Sequence, residues 1–547
     1  MQKTIGFFFF CLWLSSLSAQ PFTFVKQWDK RFGGTDDDAL ISLCQTSNGD
    51  YILSGASRSG VNGDKTEPSW NGSIDGWNIK IDGAGNKIWD KRFGGVNGDN
   101  TIKAQQTFDG GYIFGGSTGS GIGGDITQPS RGGYDYRLVK SDANGNMEWD
   151  KRFGGGGDDN FCSVLQTTDS GYIITGYSNS GIGGDKTEYI GDYDFWIVKT
   201  DANGIKQWDR TLGGSGRELM NTFSLCQTLD GGYITGGLSK SDSSGNKTQN
   251  SKGGNDYWAI KLDAQGNIIW DKDLGGASED ILGSILATKD GGFVLGGYSA
   301  SDTSADKTQM RIGGEDYWLI KFDSASNKVW DKIYGGSQAD ELYTLTRTMD
   351  GGYLMAGRST SPANGDKTET NLGAQQPWLV KTDSAGNKQW DKTIFINGLC
   401  YNIYAIQSND GCYVVGTDTR ASIGGYRTQA NWDTTNQTYD YWIMKFCMDT
   451  FTSIDNGQQT TDDSKIQIQT YPNPFTTDLS IALKGENIHE ATFTITNTIG
   501  QVIYKREESN LASNYTKVLD LSYLPNGIYF VEVSSGGENM VKRVVKE

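Results

Sequence analysis

Apolar and polar positions alternate in short runs along most of the chain, and turns rich in Gly, Asn and Asp break the runs at regular intervals. A period of two places alternate side chains on one face of an extended strand, so the pattern predicts half-buried β-strands. The segment from Phe161 shows the unit. "FCSVLQT" reads as a first strand, "YIITGYS" as a second, "YDFWIVKTD" as a third and "KQWDRTLGG" as a fourth. The turn "TDSGY" has counterparts at Asp109-Gly110, Asp230-Gly231, Asp290-Gly291 and Asp350-Gly351. Asp-Gly favours a hairpin because both turn positions tolerate positive φ. A Gly-rich loop, "NSGIGGDKTEYIGD", separates the second and third strands, and no stretch keeps a helical period.

The unit repeats. A Trp followed by Asp stands at Trp28, Trp89, Trp149, Trp208, Trp270, Trp330 and Trp390, at spacings of 61, 60, 59, 62, 60 and 60 residues. Seven four-stranded units suggest a β-propeller, with a solenoid as the competing repeat architecture. The ends of the array discriminate between them. The last unit stops at its third strand, "YDYWIMKFC", and the chain begins with an orphan fourth strand, "FVKQWDKRFGG". Pairing the two would close a ring and remove two exposed sheet edges, which a solenoid would not need. The expected fold is therefore all-β: a seven-bladed β-propeller closed by the N-terminal strand over residues 20–447, followed by a small C-terminal β-sandwich over 465–547.

Several polar and aromatic positions recur with the unit. Trp77, Trp196, Trp258, Trp318, Trp378 and Trp442 share one third-strand position, where the second unit has Arg137. Packing between blades explains such a layer, and stacking on sugars is the functional alternative. Asp and Lys stand five apart in the third strand, as in Asp75/Lys80 and Asp194/Lys199, with Gln376/Lys381 in the sixth unit. That spacing puts them on opposite faces, which suggests blade-to-blade ion pairs or Lys capping of carbonyls. A carboxylate precedes each first strand at Asp38, Asp99, Asp159, Glu218, Asp280 and Asp340, and the seventh unit reads "IFINGLC" and has none. Two accounts stay open for this ring. Each carboxylate accepts N–H bonds from its own turn, or the six share a hard cation such as Ca²⁺ and leave a gap at blade 7 for a ligand.

Composition narrows the function classes. A formal net charge of −17 argues against nucleic acid and anionic membranes, which both need basic patches. Met1-Gln2-Lys3, an apolar run from Ile5 to Leu14 and the small residues up to Ala19 read as a secretory signal peptide cleaved after Ala19. The run is too short to span a bilayer. No Cys spacing fits a metal motif, and Cys44 and Cys226 read as buried thiols. Cys412 replaces a repeated Gly and Cys447 a repeated Asp, at facing strand ends of one unit, which suggests a disulfide formed outside the cytoplasm.

After a polar stretch, 448–464, that reads as a linker, the sequence gives "YPNPF" at Tyr471–Phe475, then "TITNTIGQVI", "LPNGIYFVEV" and the basic tail "VKRVVKE". This order of motifs resembles the C-terminal sorting domain (type A) of the type IX secretion system of Bacteroidetes. The resemblance implies passage through the type IX machinery to the cell surface or medium by way of the periplasm. It also implies removal of the domain by a sortase-like peptidase, and attachment of the cargo to lipopolysaccharide. It assigns Tyr471, Pro472, Asn473, Pro474, Phe475, Gly500, Gly527, Tyr529 and Lys546 to the signal.

The resemblance leaves the repeats without a function. The only His is His489, in the C-terminal segment, so Ser-His and Cys-His nucleophiles and His-based zinc sites are excluded from the body. Carboxylate-pair hydrolysis remains open. Catalysis needs an asymmetric constellation, whereas these polar residues recur from unit to unit. The expectation is a binding or adhesion module for a glycan or protein ligand, with a structural surface protein and a carboxylate-based hydrolase as alternatives.

Overall fold

The computed structural model describes residues 22–450 apart from 221–223, 305, 434 and 436, and residues 467–546 apart from 472–474, 485–487, 498–501 and 536–537. The signal peptide, most of the linker, Pro472, Asn473, Pro474 and Gly500 lie outside the described residues. Phe24–Met448 forms one compact unit, and the chain from Asp449 belongs to another.

The first unit is built from antiparallel four-stranded sheets taken in chain order. In blade 3 these strands are Asp159–Gln166, Tyr172–Ser178, Asp194–Thr200 and Lys206–Leu212. In blades 2, 4, 5 and 6 the first hairpin closes on a Thr-x-Asp-Gly turn. In blade 2, Asp109 Oδ1 accepts from Thr107 Oγ1 at 2.5 Å and from Gly111 N at 3.0 Å, and Gly110 takes φ +85°, a region that favours glycine. Blade 7 holds Cys400–Gln407, Tyr413–Thr419 and Asp440–Thr450, and its outer strand is Phe22–Phe32 from the start of the chain.

Blades meet through repeated contacts. The outer-strand Trp of one blade packs on the second-strand aromatic of the next, as in Trp89–Tyr112 (5.8 Å between ring centroids) and Trp149–Tyr172 (5.9 Å). A third-strand Tyr donates to the Trp carbonyl of the following blade, as from Tyr257 to Trp318 O at 3.2 Å. Blades 7 and 1 meet in the same way: Trp28 lies on Tyr51, Tyr441 Oη donates to Trp77 O at 3.1 Å, and Asn409 N donates to Gln45 Oε1 at 2.8 Å.

In every blade but the second the third-strand Trp is fully buried, as at Trp77 and Trp258, and burying that much ring stabilises by roughly 2–3 kcal/mol each. Its indole N–H donates to the Asp of the outer-strand Trp-Asp pair: Trp196 to Asp209 at 3.1 Å, Trp258 to Asp271 at 3.0 Å, and, across the chain ends, Trp442 to Asp29 at 3.1 Å. The same Asp accepts from the loop Thr, as Asp209 does from Thr187 N and Oγ1, both at 2.9 Å. Blade 2 keeps the Asp and sets a cation beside it: Arg137 Nε stands 3.6 Å from Asp150 Oδ2 as an ion pair.

The recurrent third-strand Lys forms its ion pair within its own blade, not across to the next. It reaches the turn Asp of its own blade instead, as in Lys80–Asp50 (3.2 Å), Lys199–Asp169 (2.9 Å) and Lys445–Asp410 (2.6 Å). It also caps a carbonyl, as Lys199 does at Thr200 O (2.8 Å). The antiparallel register sets this geometry, because the end of the third strand lies beside the first turn.

The C-terminal unit is a two-sheet sandwich. One sheet orders Gln467–Tyr471, Asp478–Lys484 and Asn514–Asp520, and the other orders Val502–Ser509, Glu490–Asn497, Gly527–Ser535 and Glu538–Lys546. Its core includes Leu479, Ile481, Phe493, Ile495, Val531 and Val533, all fully buried. Alternation along each strand puts these side chains on the inner faces.

Candidate functional site

The acidic positions sit at the junctions between blades. All but Asp99, which makes an isolated bridge before its strand, open an innermost strand, and each turns back onto its own connection. Asp38 Oδ2 accepts from Gly34 N at 2.7 Å and Ser59 Oγ at 2.9 Å, and Asp340 Oδ2 repeats this with Gly336 N at 2.7 Å and Ser361 Oγ at 2.9 Å. Asp99, Asp159 and Asp280 do the same, and Glu218 reaches Gly214 N through its longer side chain. Among the described residues no three acidic, Cys or His side chains come together to hold a metal ion. Each of the six carboxylates is buried and bonded to its own turn. Blade 7 is not open at this position. Cys400 stands there, fully buried and paired with Thr419 as Asp38 is paired with Ser57.

A second carboxylate adjoins each of these. The third-strand Asp packs against the first Gly of the next connection, so closely that a Cβ on Gly94 would lie 2.1 Å from Asp75 Oδ1. Burial pushes Asp75 up to about 7, with repulsion from Asp99 adding to it, and pushes Asp440 up to about 8, with Asp38 adding. Buried lysines offset part of this charge. Lys65 donates to Ser57 Oγ and Ser69 Oγ, both at 2.8 Å, and burial lowers its own pKa to about 8. The seam between blades 6 and 7 exchanges the whole arrangement. Gln376 replaces the Asp, and its amide both donates to Ile396 O (3.0 Å) and accepts from Ile396 N (2.7 Å), in the connection that lacks the Gly pair and the acid.

Two cavities of the first unit lie against its innermost strands. One, of about 380 Å³, opens beside the acidic positions of blades 2 to 4 and is lined by Asn100, Tyr134, Asn160, Phe161, Tyr177 and Met220 among others. It forms where the innermost strand of blade 2 is irregular. There the ladder begins only at Lys103, after an isolated Asp99–Thr118 bridge. Tyr134 is 44% exposed, so its ring is available to a ligand. Cys162 also lines this cleft, but burial pushes its thiol up to about 12, which removes it as a nucleophile. The other cavity, of about 450 Å³, is lined by innermost-strand residues of all seven blades and is the central channel. Of the two cysteines read from the sequence as buried thiols, Cys226 is buried, while Cys44 lines this cavity and is half-buried. Cys412 and Cys447 form a disulfide between the second and third strands of blade 7, with Cα atoms 4.3 Å apart.

In the sandwich the two ends of the sorting pattern meet. Phe475 is buried in the core, donates its N–H to Val545 O at 2.9 Å and bridges Lys546 in parallel. Lys546 Nζ donates to Thr476 O and lies 5.9 Å from the Phe475 ring centroid. Tyr471 ends its strand, Gly527 begins another, and buried Tyr529 donates its hydroxyl to Pro525 O at 2.8 Å.

Residues 469–547 match the family described as "Secretion system C-terminal sorting domain". The C-terminal unit is a type IX sorting domain. It ties the chain to the type IX machinery and to export to the cell surface or medium. No curated protein matches the chain. Solved structures similar to it include a fungal alcohol oxidase in complex with copper, with 10% identity, TM-score 0.39, and 97% and 100% of the two chains covered. A putative gluconolactonase gives 8% identity and TM-score 0.29, over 62% of this chain and 86% of that one. A member of the DUF4221 family from Bacteroides vulgatus gives 10% and 0.31, over 67% and 99%.

Proposed function

We propose that this is an exported binding module of the cell surface, whose propeller presents a glycan site at the cleft of blades 2 to 4. The carrying observation is that this cleft opens where the innermost ladder of blade 2 starts late, and that Tyr134, Tyr177, Asn100 and Asn160 converge there. Tyr rings offer apolar faces to the C–H side of a sugar, and Asn amides both donate to and accept from hydroxyls. The hydrolase alternative loses support because the paired carboxylates are buried and recur at most seams. In this reading the signal peptide ends at Ala19, the sorting domain is removed within 448–464, and lipopolysaccharide is an attachment partner. A glycan array probed with the full chain tests the site. Binding that Tyr134→Ala and Tyr177→Ala each abolish supports it. An array without hits, or hits indifferent to both substitutions, returns the body to the structural-protein reading.

A further inference from the structure

The central channel breaks the repeat in its own way, at the opposite end of the innermost strands from the cleft. Its walls are mostly apolar, with Leu43, Val164, Leu225, Ile285 and Leu345 among them. Two charged side chains line it, Lys103 and Arg347, and both are cationic. No carboxylate does so among the described residues, although the chain as a whole carries a net charge of −17. Neither cation belongs to the repeat. Lys103 stands where the other innermost strands carry Ser42, Ser163, Ser224, Ser284, Thr344 and Tyr404. Arg347 stands where five blades carry Gln and blade 5 carries Ala287. In those Gln blades the side chain ties neighbouring turns together, as Gln106 does by accepting from Ser47 N at 2.7 Å, so replacing it at blade 6 gives up a seam contact.

We propose that the channel binds a small organic anion with an apolar body, its charged group held by Lys103 and Arg347. The cavity of about 450 Å³ falls within the ~300–1,000 Å³ usual for small-molecule sites. Apolar walls bury the body, and two cations in a partly desolvated channel favour an anion over a neutral molecule of the same shape. Burial lowers Lys103 to about 8, so its charge is present near neutral pH and is lost as pH rises. Burial raises the Cys44 thiol on the wall to about 11 and puts Tyr404 well above its ordinary value.

Isothermal titration of the full chain with decanoate, and with decanol as its neutral counterpart, tests this. Decanoate should bind, with decanol weaker by about tenfold or more. Lys103→Gln and Arg347→Gln should each weaken decanoate about tenfold and leave decanol unchanged. Moving from about pH 7 to about pH 9 should weaken decanoate for the native chain and for Arg347→Gln, but not for Lys103→Gln. Tyr134→Ala, at the other cleft, should have no effect, which separates this site from the glycan reading. Because Arg347 is exposed at the rim, its variant keeps the test available if Lys103→Gln misfolds. No decanoate binding, equal affinity for decanol, or variants that bind as the native chain does would overturn the proposal.

Discussion

The Asp of the Trp-Asp pair shows how one side chain can organise a blade. Asp209 accepts from Lys206 Nζ (2.8 Å), Thr187 N and Oγ1, and Trp196 Nε1, so the outer strand, the loop and the third strand all end on one carboxylate. Burial alone would raise its pKa, and the bonds from Lys206, Thr187 and Trp196 outweigh that and lower it. Asp209→Ala should cost about 2–4 kcal/mol, because the indole and loop donors lose their acceptor in a buried site, and a fall in the denaturant midpoint measures it. The junction acids behave in the opposite sense. Asp440 is raised to about 8, so the folded chain binds its proton more tightly than the unfolded chain does. Stability therefore declines as pH climbs from the ordinary Asp value toward about 8, and levels off above it. Asp440→Asn should flatten this decline, seen as a smaller gap between melting temperatures at about pH 5 and about pH 8. The sequence made the recurrence of these residues visible but not their partners. Lys199 and Asp169 lie thirty residues apart, and only the strand register brings them together.

At the scale of the element, blade 7 carries the most information. Its outer strand was legible from the offset between the first and last units, because an orphan fourth strand and a missing one are complementary. Its substitutions were legible only in part. "IFINGLC" has no acid, but the sequence could not show that Cys400 fills the position, or that Gln376 of blade 6 changes along with it. The irregular innermost strand of blade 2 was hidden too, since its hydrophobic pattern resembles the others. The Cys412–Cys447 bond spans 35 residues, and closing such a loop in the unfolded chain is worth about 3–4 kcal/mol. The double variant Cys412→Ser/Cys447→Ser should still fold, since Tyr413–Phe446 to Thr419–Asp440 remain paired, and should melt earlier. Removing Phe22–Phe32 should do more harm. It takes away Asp29, the acceptor for Trp442 and Thr428, and exposes the edge of Asp440–Thr450. Light scattering should show self-association of that truncation and a monodisperse disulfide variant. A monodisperse truncation would mean that blade 7 does not depend on the N-terminal strand.

For the whole molecule the question is whether folding and address are separable. The body buries its own clusters blade by blade, for example Leu282, Leu295, Trp318 and Ile320, without using the sandwich. The sandwich buries Leu479, Phe493 and Val531 without using the body. The address resides in the second unit, where Phe475 and Lys546, at opposite ends of its sequence, come side by side. Deleting Lys465–Glu547 should therefore leave a body with unchanged melting temperature and disulfide, held inside the cell envelope instead of reaching the surface or medium. Phe475→Ala is a finer version: it empties a core position beside the terminal strand and should cost roughly 3–5 kcal/mol in the sandwich alone. Its effect on export should follow the unfolding of the sandwich and spare the body. Cell fractionation with an antibody to the propeller distinguishes the outcomes. Normal amounts of truncated protein at the surface would place the export signal in the propeller, and loss of the body's own fold on truncation would make the two units a single folding entity.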